Sequence, residues 1–354
     1  MSSHNPNRPE VERRLADTVD LLCSDSHLPR NTGAEGAVEA ASYLASELMA
    51  LGLEPAGTQG FIQEIPLING SNVLGTIQGR SDRWVVLGAH YDACGSENPG
   101  ADDNAAGVAI ALEVACRLRN GKVEHSVLIA LFDAEEPPNF LTPEMGSQWF
   151  VDHPTIPLER IDTMVCLDVV GHALGPEVLP DSIRESVLVL GAEKSSGTAR
   201  LFDSLPDVPG IVPRRIDSYV VPAMSDYHAF MNKSIPFLFY TCGRTEDYHE
   251  PTDTPDKLDY PKMASLVDHL ELAMRALALR TDRPAYLADA VDDRATVSTV
   301  SELTAALRPF ARKADRVDLV VASLVERLNE AESLTDRDRQ AIAYLVLSIE
   351  ESLG

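Results

Sequence analysis

Residues 84–92 read Trp-Val-Val-Leu-Gly-Ala-His-Tyr-Asp, an apolar run that ends in an imidazole and a carboxylate. Three similar apolar runs follow at 127–132, 163–167 and 235–240. Each run is short and nearly free of polar residues, as expected for strands that are buried on both faces of a sheet. Helical patterns separate the runs, and the clearest lies at 105–119. The alternation predicts an α/β protein with a mostly parallel, twisted central sheet flanked by helices.

Polar side chains follow these apolar runs along the chain. His90 follows the first run, Glu135 and Glu136 follow the second, and Asp168 follows the third. His249 lies in a loop beyond the fourth run. In parallel α/β sheets, ligands bind beyond the carboxyl ends of the strands. The sequence therefore predicts that these side chains meet at one edge of the sheet.

A helical pattern near the N-terminus precedes the first apolar run. Its apolar residues recur at steps of three or four, as in Val38, Ala41 and Leu44. Thr32 and Glu35 have the spacing of a capping box, in which each side chain binds the other residue's backbone N–H. We therefore predict a helix at 31–53 that opens with this box.

The charge of the chain argues against two classes of partner. Asp and Glu total 55 against 30 Lys and Arg, which gives a net charge of −25. Such a charge repels phosphate backbones and anionic lipid headgroups, so we expect neither nucleic acid nor a membrane surface as partner. The first thirty residues are polar and lack the apolar segment of a secretory signal. Five scattered cysteines fit a reducing compartment. We therefore expect a cytoplasmic protein.

From about residue 281 the sequence changes to charged, amphipathic helical patterns. We therefore divide the chain into a main domain at 1–280 and a C-terminal helical extension at 281–354. Apolar residues of the extension recur at helical spacing, for example at Leu324 and Leu328. This stripe predicts packing against the main domain. A homo-oligomer formed through the C-terminal helices is the alternative.

The His90-Tyr91-Asp92 motif joins a good zinc ligand to a carboxylate that can accept the second N–H of the imidazole. By itself the motif is weak, because a histidine that ends a strand is more often a structural hydrogen-bonding residue. Residues 100–107 read Gly-Ala-Asp-Asp-Asn-Ala-Ala-Gly at the entrance to a helix. Adjacent carboxylates repel each other unless a cation lies beside them, although they can also cap a helix. With His90 upstream, a metal ion beside this acidic pair is the better explanation.

Three further motifs supply carboxylates and a second imidazole. Glu135 and Glu136 end a buried strand, so one can bind a metal ion while the other faces the attacking water as a general base. An exposed acidic turn is the plainer interpretation of such a pair. Asp168 lies in an apolar run, where an unpaired charge is costly. Together the motifs predict one metal site at this edge of the sheet, with His90, a carboxylate of the pair 102–103, one of Glu135 and Glu136, Asp168 and His249 as candidate ligands.

In this order the motifs resemble those of the M28 zinc exopeptidases, a family that includes aminopeptidases and glutaminyl cyclases. The resemblance covers residues 31–269 and depends on the blocks His-x-Asp, Gly-Ala-x-Asp-Asn, Glu-Glu, Leu-Asp and Tyr-His-x-Pro-x-Asp-Thr. It implies that residues 1–280 are the catalytic domain and that each chain binds two zinc ions. The implied reaction is hydrolysis of the N-terminal bond of peptides with a free N-terminus.

The resemblance also implies a role for each metal ligand. Asp103 would bridge the two zinc ions, while His90 and Asp168 would complete separate zinc shells. The family pattern groups Glu136 with His249, although the sequence by itself leaves this pairing open.

Other residues of the motifs would act beside the metal ions. Glu135 matches the general base of the family, and Asp92 matches the carboxylate behind His90. Tyr248 resembles the residue that hydrogen-bonds the developing oxyanion in some members. The peptide bond between Asp103 and the next residue would be cis.

The sequence departs from the family pattern in two places. A proline-rich insertion at 137–145 follows Glu136, and we expect it to wall the substrate pocket. The block Ser-Asp-Tyr-His at 225–228 carries an extra tyrosine, so its role stays open, and His228 is predicted to be structural. Cys94 lies near the predicted site, but oxygen and nitrogen ligands already suffice.

Two other functions fit the same motifs. A glutaminyl cyclase would keep similar positions but use one zinc ion, and an inactive binding scaffold would keep only the fold. Inactive relatives usually lose ligands, and the block around Tyr248 and His249 resembles that of the hydrolases. An aminopeptidase is therefore the preferred prediction. The mixture of imidazole and carboxylate ligands favours zinc, with cobalt or manganese as alternatives.

Overall fold

A mixed β-sheet forms the centre of the computed structural model, which describes residues 8–309, 314–331 and 333–353. Its strands, in chain order, are β1 Glu54–Pro55, β2 Ile62–Ile65, β3 Gly70–Ile77, β4 Trp84–His90, β5 Ser126–Phe132, β6 Ile161–Leu167, β7 Ser186–Leu190, β8 Val212–Arg215 and β9 Phe237–Thr241. Across the sheet they follow the order β1-β3-β5-β4-β6-β9-β7-β8, and β2 pairs with β3 at one side.

The four central strands β5, β4, β6 and β9 are parallel. They coincide with the four apolar runs of the sequence, and every residue of β5 and β6 is buried. Burial on both faces explains why these runs do not alternate between apolar and polar residues. Antiparallel strands β3 and β7 extend the parallel centre on its two sides. The predicted mostly parallel sheet flanked by helices is thus confirmed.

Helices cover both faces of the sheet. In chain order they are α1 Arg8–Leu22, α2 Glu35–Ala50, α3 Ala106–Leu118, α4 Gly146–Asp152, α5 Asp181–Arg184, α6 Thr198–Asp203, α7 Tyr227–Asn232, α8 Tyr260–Ala278, α9 Asp293–Leu307, α10 Ala314–Glu330 and α11 Asp336–Leu353. Residues of α1, α2, α3 and α8 share one apolar cluster with Val85 of β4. Residues of α4, α7 and α9 to α11 share a second cluster with the next residue of β4, Val86.

The C-terminal helices therefore belong to the same core as the sheet. Val300 of α9 and Ile342 of α11 are buried in the second cluster together with Phe237 of β9. The Arg339 guanidinium on α11 pairs with Asp293 on α9 at 2.9 Å. The apolar stripe of the extension packs as predicted, whereas the domain division at residue 280 and a homo-oligomer stay predictions. Within the described ranges, every helix falls short of the length or apolar character that a membrane crossing requires.

Helix α2 begins later than the sequence pattern predicts. Its first residue is Glu35, and Thr32 lies outside the helix. The Thr32 hydroxyl instead donates a hydrogen bond to Asp133 Oδ1 at 2.9 Å. The predicted capping box is therefore wrong, because the hydroxyl satisfies a buried carboxylate instead of a helix end.

Candidate metal centre

Three neighbouring parallel strands end at the same edge of the sheet. Strand β4 ends at His90, while β5 and β6 end directly before the segments that carry Glu135 and Asp168. All three side chains are buried. Because the carboxyl ends of parallel strands lie side by side, residues far apart in the sequence meet here.

The turn that carries Asp103 has a fixed shape. Gly100 adopts φ +60°, and a Cβ atom there would lie 2.4 Å from the carbonyl oxygen of Asp103. Only glycine fits such a position. The Asp253 carboxylate accepts hydrogen bonds from the backbone N–H of Asp102 at 2.8 Å and of Asp103 at 3.1 Å. The peptide bond between Asp103 and Asn104 is cis, as the resemblance implies.

Asp103 lies between two pairs of side chains. Its Oδ1 atom is 3.2 Å from His90 Nε2, which is itself 3.3 Å from Asp168 Oδ1. Its Oδ2 atom is 3.3 Å from His249 Nε2, which is 3.0 Å from Glu136 Oε2. The structure thus brings the five predicted ligands together. Since ligand atoms of His90, Asp103 and Asp168 lie within 4.8 Å of one another, the expected assignment of His90 and Asp168 to separate shells disagrees with the geometry.

Asp92 holds the two glutamates that follow β5. Its two carboxylate oxygens accept hydrogen bonds from the backbone N–H groups of Glu135 and Glu136, each at 3.1 Å. The same carboxylate lies 3.4 Å from His90 Nδ1. The Glu135 side chain enters the cluster, and its Oε2 atom lies 3.8 Å from His90 Nε2. Asp92 therefore lies behind His90 and orients both glutamates.

Burial and mutual repulsion perturb the pKa values of the cluster. Burial raises the pKa of Glu136 to about 8, and the charge of Asp103 adds to this effect. Burial also raises the pKa of Glu135. Although burial disfavours the charged form of His249, Asp103 and Glu136 raise its pKa to about 10. The cluster without a cation therefore retains protons that a divalent cation would displace.

Several buried atoms of the cluster lack a partner. Among the residues that the structure describes, Glu136 Oε1 has no hydrogen-bond partner, and Asp103 Oδ2 and His249 Nε2 lie 3.3 Å apart without the geometry of a hydrogen bond. Such atoms are costly unless a ligand satisfies them. One ligand atom each from His90, Asp103 and Asp168 lie within 4.8 Å of one another. Imidazole and carboxylate groups are donors that zinc accepts, so this donor set fits divalent cations.

A buried guanidinium supports this edge of the sheet. Arg30 is fully buried and donates hydrogen bonds to the carbonyl oxygens of Tyr91 at 2.6 Å, of Gly100 at 2.8 Å and of Leu22. It thereby joins the end of β4 to the turn that carries Asp103. The sequence reasoning missed Arg30, because nothing near it in the chain distinguishes it from a surface arginine.

Asp226 is a further buried carboxylate for which the sequence provided no role. It is fully buried before α7, and within the described part of the chain neither of its carboxylate oxygens has a hydrogen-bond partner. Burial raises its pKa to about 7, although the charge of His90 acts in the opposite direction. His228, by contrast, is half-buried and lies 3.4 Å from Asn232. The available signal was the Ser-Asp pair at 225–226.

The loop that carries His249 has an unusual backbone. His249 adopts φ +63°, a left-handed conformation that is costly for residues other than glycine and recurs at functional sites. The Tyr248 ring stacks on the His249 imidazole, with ring centroids 3.8 Å apart. Cys94 also reaches this side, within 4.8 Å of ligand atoms of Glu136 and His249. Burial raises the pKa of the Cys94 thiol to about 11, so a metal-free site holds it as a thiol.

An apolar pocket opens beside the cluster. Its lining includes Asp168, Leu190, Val220, Phe239, Tyr248 and Ile349. The insertion at 137–145 contributes no residue to the described lining of this pocket, and most of its side chains are at least partly exposed. The expectation that the insertion walls the pocket is therefore wrong for this cavity. Distant segments of the chain form the walls instead.

The central part of the chain matches one protein family. The model of peptidase family M28 matches residues 72–274, a span that contains every predicted metal ligand. The chain is also 28% identical to the uncharacterised protein YfbL of Escherichia coli over 290 residues, which cover 72% of this chain and 85% of YfbL.

Solved structures resemble the fold at low sequence identity. LapA aminopeptidase of Legionella pneumophila is similar with a TM-score of 0.62 and 17% identity, over 80% of this chain and 78% of LapA. A glutaminyl cyclase of Bacteroides thetaiotaomicron is similar with a TM-score of 0.56 and 19% identity, over 75% of this chain and 97% of the cyclase. These two similarities show the fold.

Proposed function

The chain belongs to peptidase family M28, and from this premise we propose that it is a zinc aminopeptidase that releases residues from the free N-terminus of peptides. The observation that carries the proposal is the position of Asp103 between two pairs of donors. His90, Asp168 and Asp103 would hold one zinc ion. Glu136 and His249, together with Asp103, would hold a second. Two such ions supply Lewis acidity to the scissile carbonyl and to the attacking water.

Glu135 would act as the general base. Its carboxylate enters the cluster but belongs to neither pair, and Asp92 fixes its backbone. A raised pKa suits a group that takes a proton from water and then transfers it to the leaving amine. The side chain lies beside His90, where the attacking water would approach the carbonyl carbon.

The surplus of carboxylates explains a preference for free N-termini. Glu135 and Asp226 are both buried, and burial raises the pKa of each carboxyl above its ordinary value. The negative charge of Asp226 also contributes to the raised pKa of Glu135. An α-ammonium group of the substrate would compensate this negative charge, whereas an internal peptide bond brings no positive charge. Tyr248, beside His249, would hydrogen-bond the oxyanion that develops at the carbonyl.

A glutaminyl cyclase is the second candidate, because one such enzyme shares the fold. The pairing of Glu136 with His249 favours the hydrolase, since a cyclase that uses one ion leaves the second pair of donors without a ligand. An inactive scaffold on the same fold is the third.

The proposal can be tested on one preparation of the full chain. Metal per chain is measured by inductively coupled plasma mass spectrometry, and turnover is measured with leucine p-nitroanilide and with an N-terminal glutaminyl peptide. We expect two zinc ions and anilide hydrolysis, with both lost in Asp103→Asn. Exposed Asp336→Asn is the matched control and leaves both unchanged. One ion with glutaminyl cyclisation supports the cyclase, and no retained metal with neither activity supports the scaffold.

A further inference from the structure

The apolar pocket beside the cluster has a wall that comes from the C-terminal helices. Val300 and Leu303 of α9 and Val346 and Ile349 of α11 line it together with Phe239 of the sheet. All four wall residues lie beyond residue 274, where the match to the peptidase family ends. The pocket is thus shared between the part of the chain that matches the family model and a part that lies outside this match.

The pocket opens next to the reacting groups. Asp168, one of the proposed zinc ligands, and Tyr248, which stacks on another, both belong to its lining. A substrate whose scissile carbonyl lies at the cluster would therefore place the neighbouring side chain in this pocket. The wall residues are aliphatic, so a large apolar side chain gains free energy there, and a charged one loses its hydration.

An ion pair fixes α11 to the loop that carries the site. Glu350 accepts three hydrogen bonds from Arg244: from the backbone N–H at 3.0 Å, from Nε at 3.0 Å and from Nη2 at 2.8 Å. The Arg244 guanidinium also lies 5.8 Å from the centroid of the Tyr248 ring. Bidentate pairs of this kind hold geometry as well as supplying energy. The position of the wall is therefore set relative to Tyr248.

We propose that helices α9 and α11 form the outer wall of the pocket for the first side chain of the substrate, and that they select peptides with a large aliphatic or aromatic N-terminal residue. This inference rests on the proposed aminopeptidase function. Val346 and Ile349 set the depth of the pocket, and the Arg244–Glu350 pair is the positioning element that keeps α11 in place. The extension thus determines specificity without contributing a catalytic residue.

The test narrows the pocket in the full-length chain. Val346→Phe places a larger side chain in the wall, and Tyr344→Ala, at an exposed position of the same helix, is the matched control. The measured quantity is kcat/KM for alanine and leucine p-nitroanilides. We expect Val346→Phe to lower the leucine-to-alanine ratio by about tenfold, because sites discriminate side chains by this order when their volume changes. The alanine value stays within about twofold, and the control leaves the ratio unchanged.

Glu350→Gln tests the ion pair without altering the volume of the pocket. We expect a higher KM for leucine p-nitroanilide with a similar kcat, because the wall is released while the reacting groups remain in place. The KM for alanine p-nitroanilide should change less, because the alanine methyl group extends least toward the wall. An equal loss of kcat for both substrates would contradict a positioning role in specificity.

Binding separates failure of this inference from failure of the proposed function. Ligand-observed NMR measures the affinity of n-pentylamine and of ethylamine in wild type and Val346→Phe, which requires no turnover. If every anilide stays intact, the aminopeptidase proposal fails, but selective loss of n-pentylamine binding still supports the wall. If the variant leaves both the amine affinities and the leucine-to-alanine ratio unchanged while circular dichroism shows a folded protein, the inference is overturned. A change in preference for the second residue of the peptide also overturns it.

Discussion

Two groups of buried charges lie at the same edge of the sheet, and they are built in opposite ways. Arg30 is fully buried and reaches three backbone carbonyl oxygens. The cluster around Asp103 is buried as well, yet some of its carboxylate and imidazole atoms have no hydrogen-bond partner among the described residues. We expect the first group to stabilise the fold and the second to oppose folding until a cation binds. A buried charge whose hydrogen bonds are complete therefore indicates a residue that supports the fold. Buried charges with incomplete hydrogen bonds indicate the candidate metal site.

The largest effect on activity is expected from a substitution in the cluster around Asp103. Glu135→Gln removes the general base but keeps the shape of the side chain, so kcat for leucine p-nitroanilide should fall about a thousandfold. Metal content and thermal stability should stay at the wild-type level, because Glu135 belongs to neither donor pair. Glu136→Gln, its neighbour, should instead lose metal. Retention of kcat within tenfold in Glu135→Gln would exclude this residue as the base.

Arg30→Met tests whether the hydrogen bonds of the buried Arg30 guanidinium stabilise the fold. It leaves the carbonyl oxygens of Leu22, Tyr91 and Gly100 without their buried donor. We expect the free energy of unfolding to fall by about 3 kcal/mol in urea titrations, since each unsatisfied buried group is costly. Arg13→Met, at an exposed position of α1, is the control and should change stability by less than about 0.5 kcal/mol. Equal stabilities of the two variants would refute the supporting role of Arg30.

His269 is a buried imidazole for which the described residues provide no carboxylate partner. Burial lowers its pKa to about 4, and its Nε2 atom lies 3.2 Å from the Tyr240 hydroxyl. Between its ordinary pKa of 6.5 and about 4, the unfolded chain binds a proton that the folded chain does not. Stability should therefore fall by about 3 kcal/mol as the pH drops through this range. Urea titrations at pH 4.5 and 7.5 should show a smaller difference in the free energy of unfolding for His269→Gln than for wild type. An equal difference would mean that other groups cause the pH dependence.

Asp226→Asn tests whether a buried carboxylate near the cluster, without a hydrogen-bond partner among the described residues, opposes folding. Burial raises the pKa of Asp226 to about 7, whereas the unfolded carboxyl ionises near its ordinary value. Proton binding therefore favours the folded state at low pH, and this contribution is lost as the pH rises through 7. At pH 8 the metal-free variant should be about 1 kcal/mol more stable than metal-free wild type, and this advantage should shrink at pH 4. A variant that is less stable at both values would show that Asp226 has a structural role.

The sequence predicted the parts of the molecule that depend on local patterns. Continuous apolar runs identified the parallel strands, and the rule that ligands bind at their carboxyl ends brought His90, Glu136 and Asp168 to one edge. The contributions of Arg30 and Asp226 could not be predicted, because their roles depend on burial by segments distant in the chain. For the same reason the sequence predicts that the insertion at 137–145 walls the pocket, whereas residues of α9 and α11 line it.

Anomalous diffraction at the zinc edge from crystals grown with zinc tests the central claim most directly. The account predicts two peaks beside Asp103, one next to His90 and Asp168 and the other next to Glu136 and His249. At saturating zinc, a single peak or zinc bound away from Asp103 would contradict it.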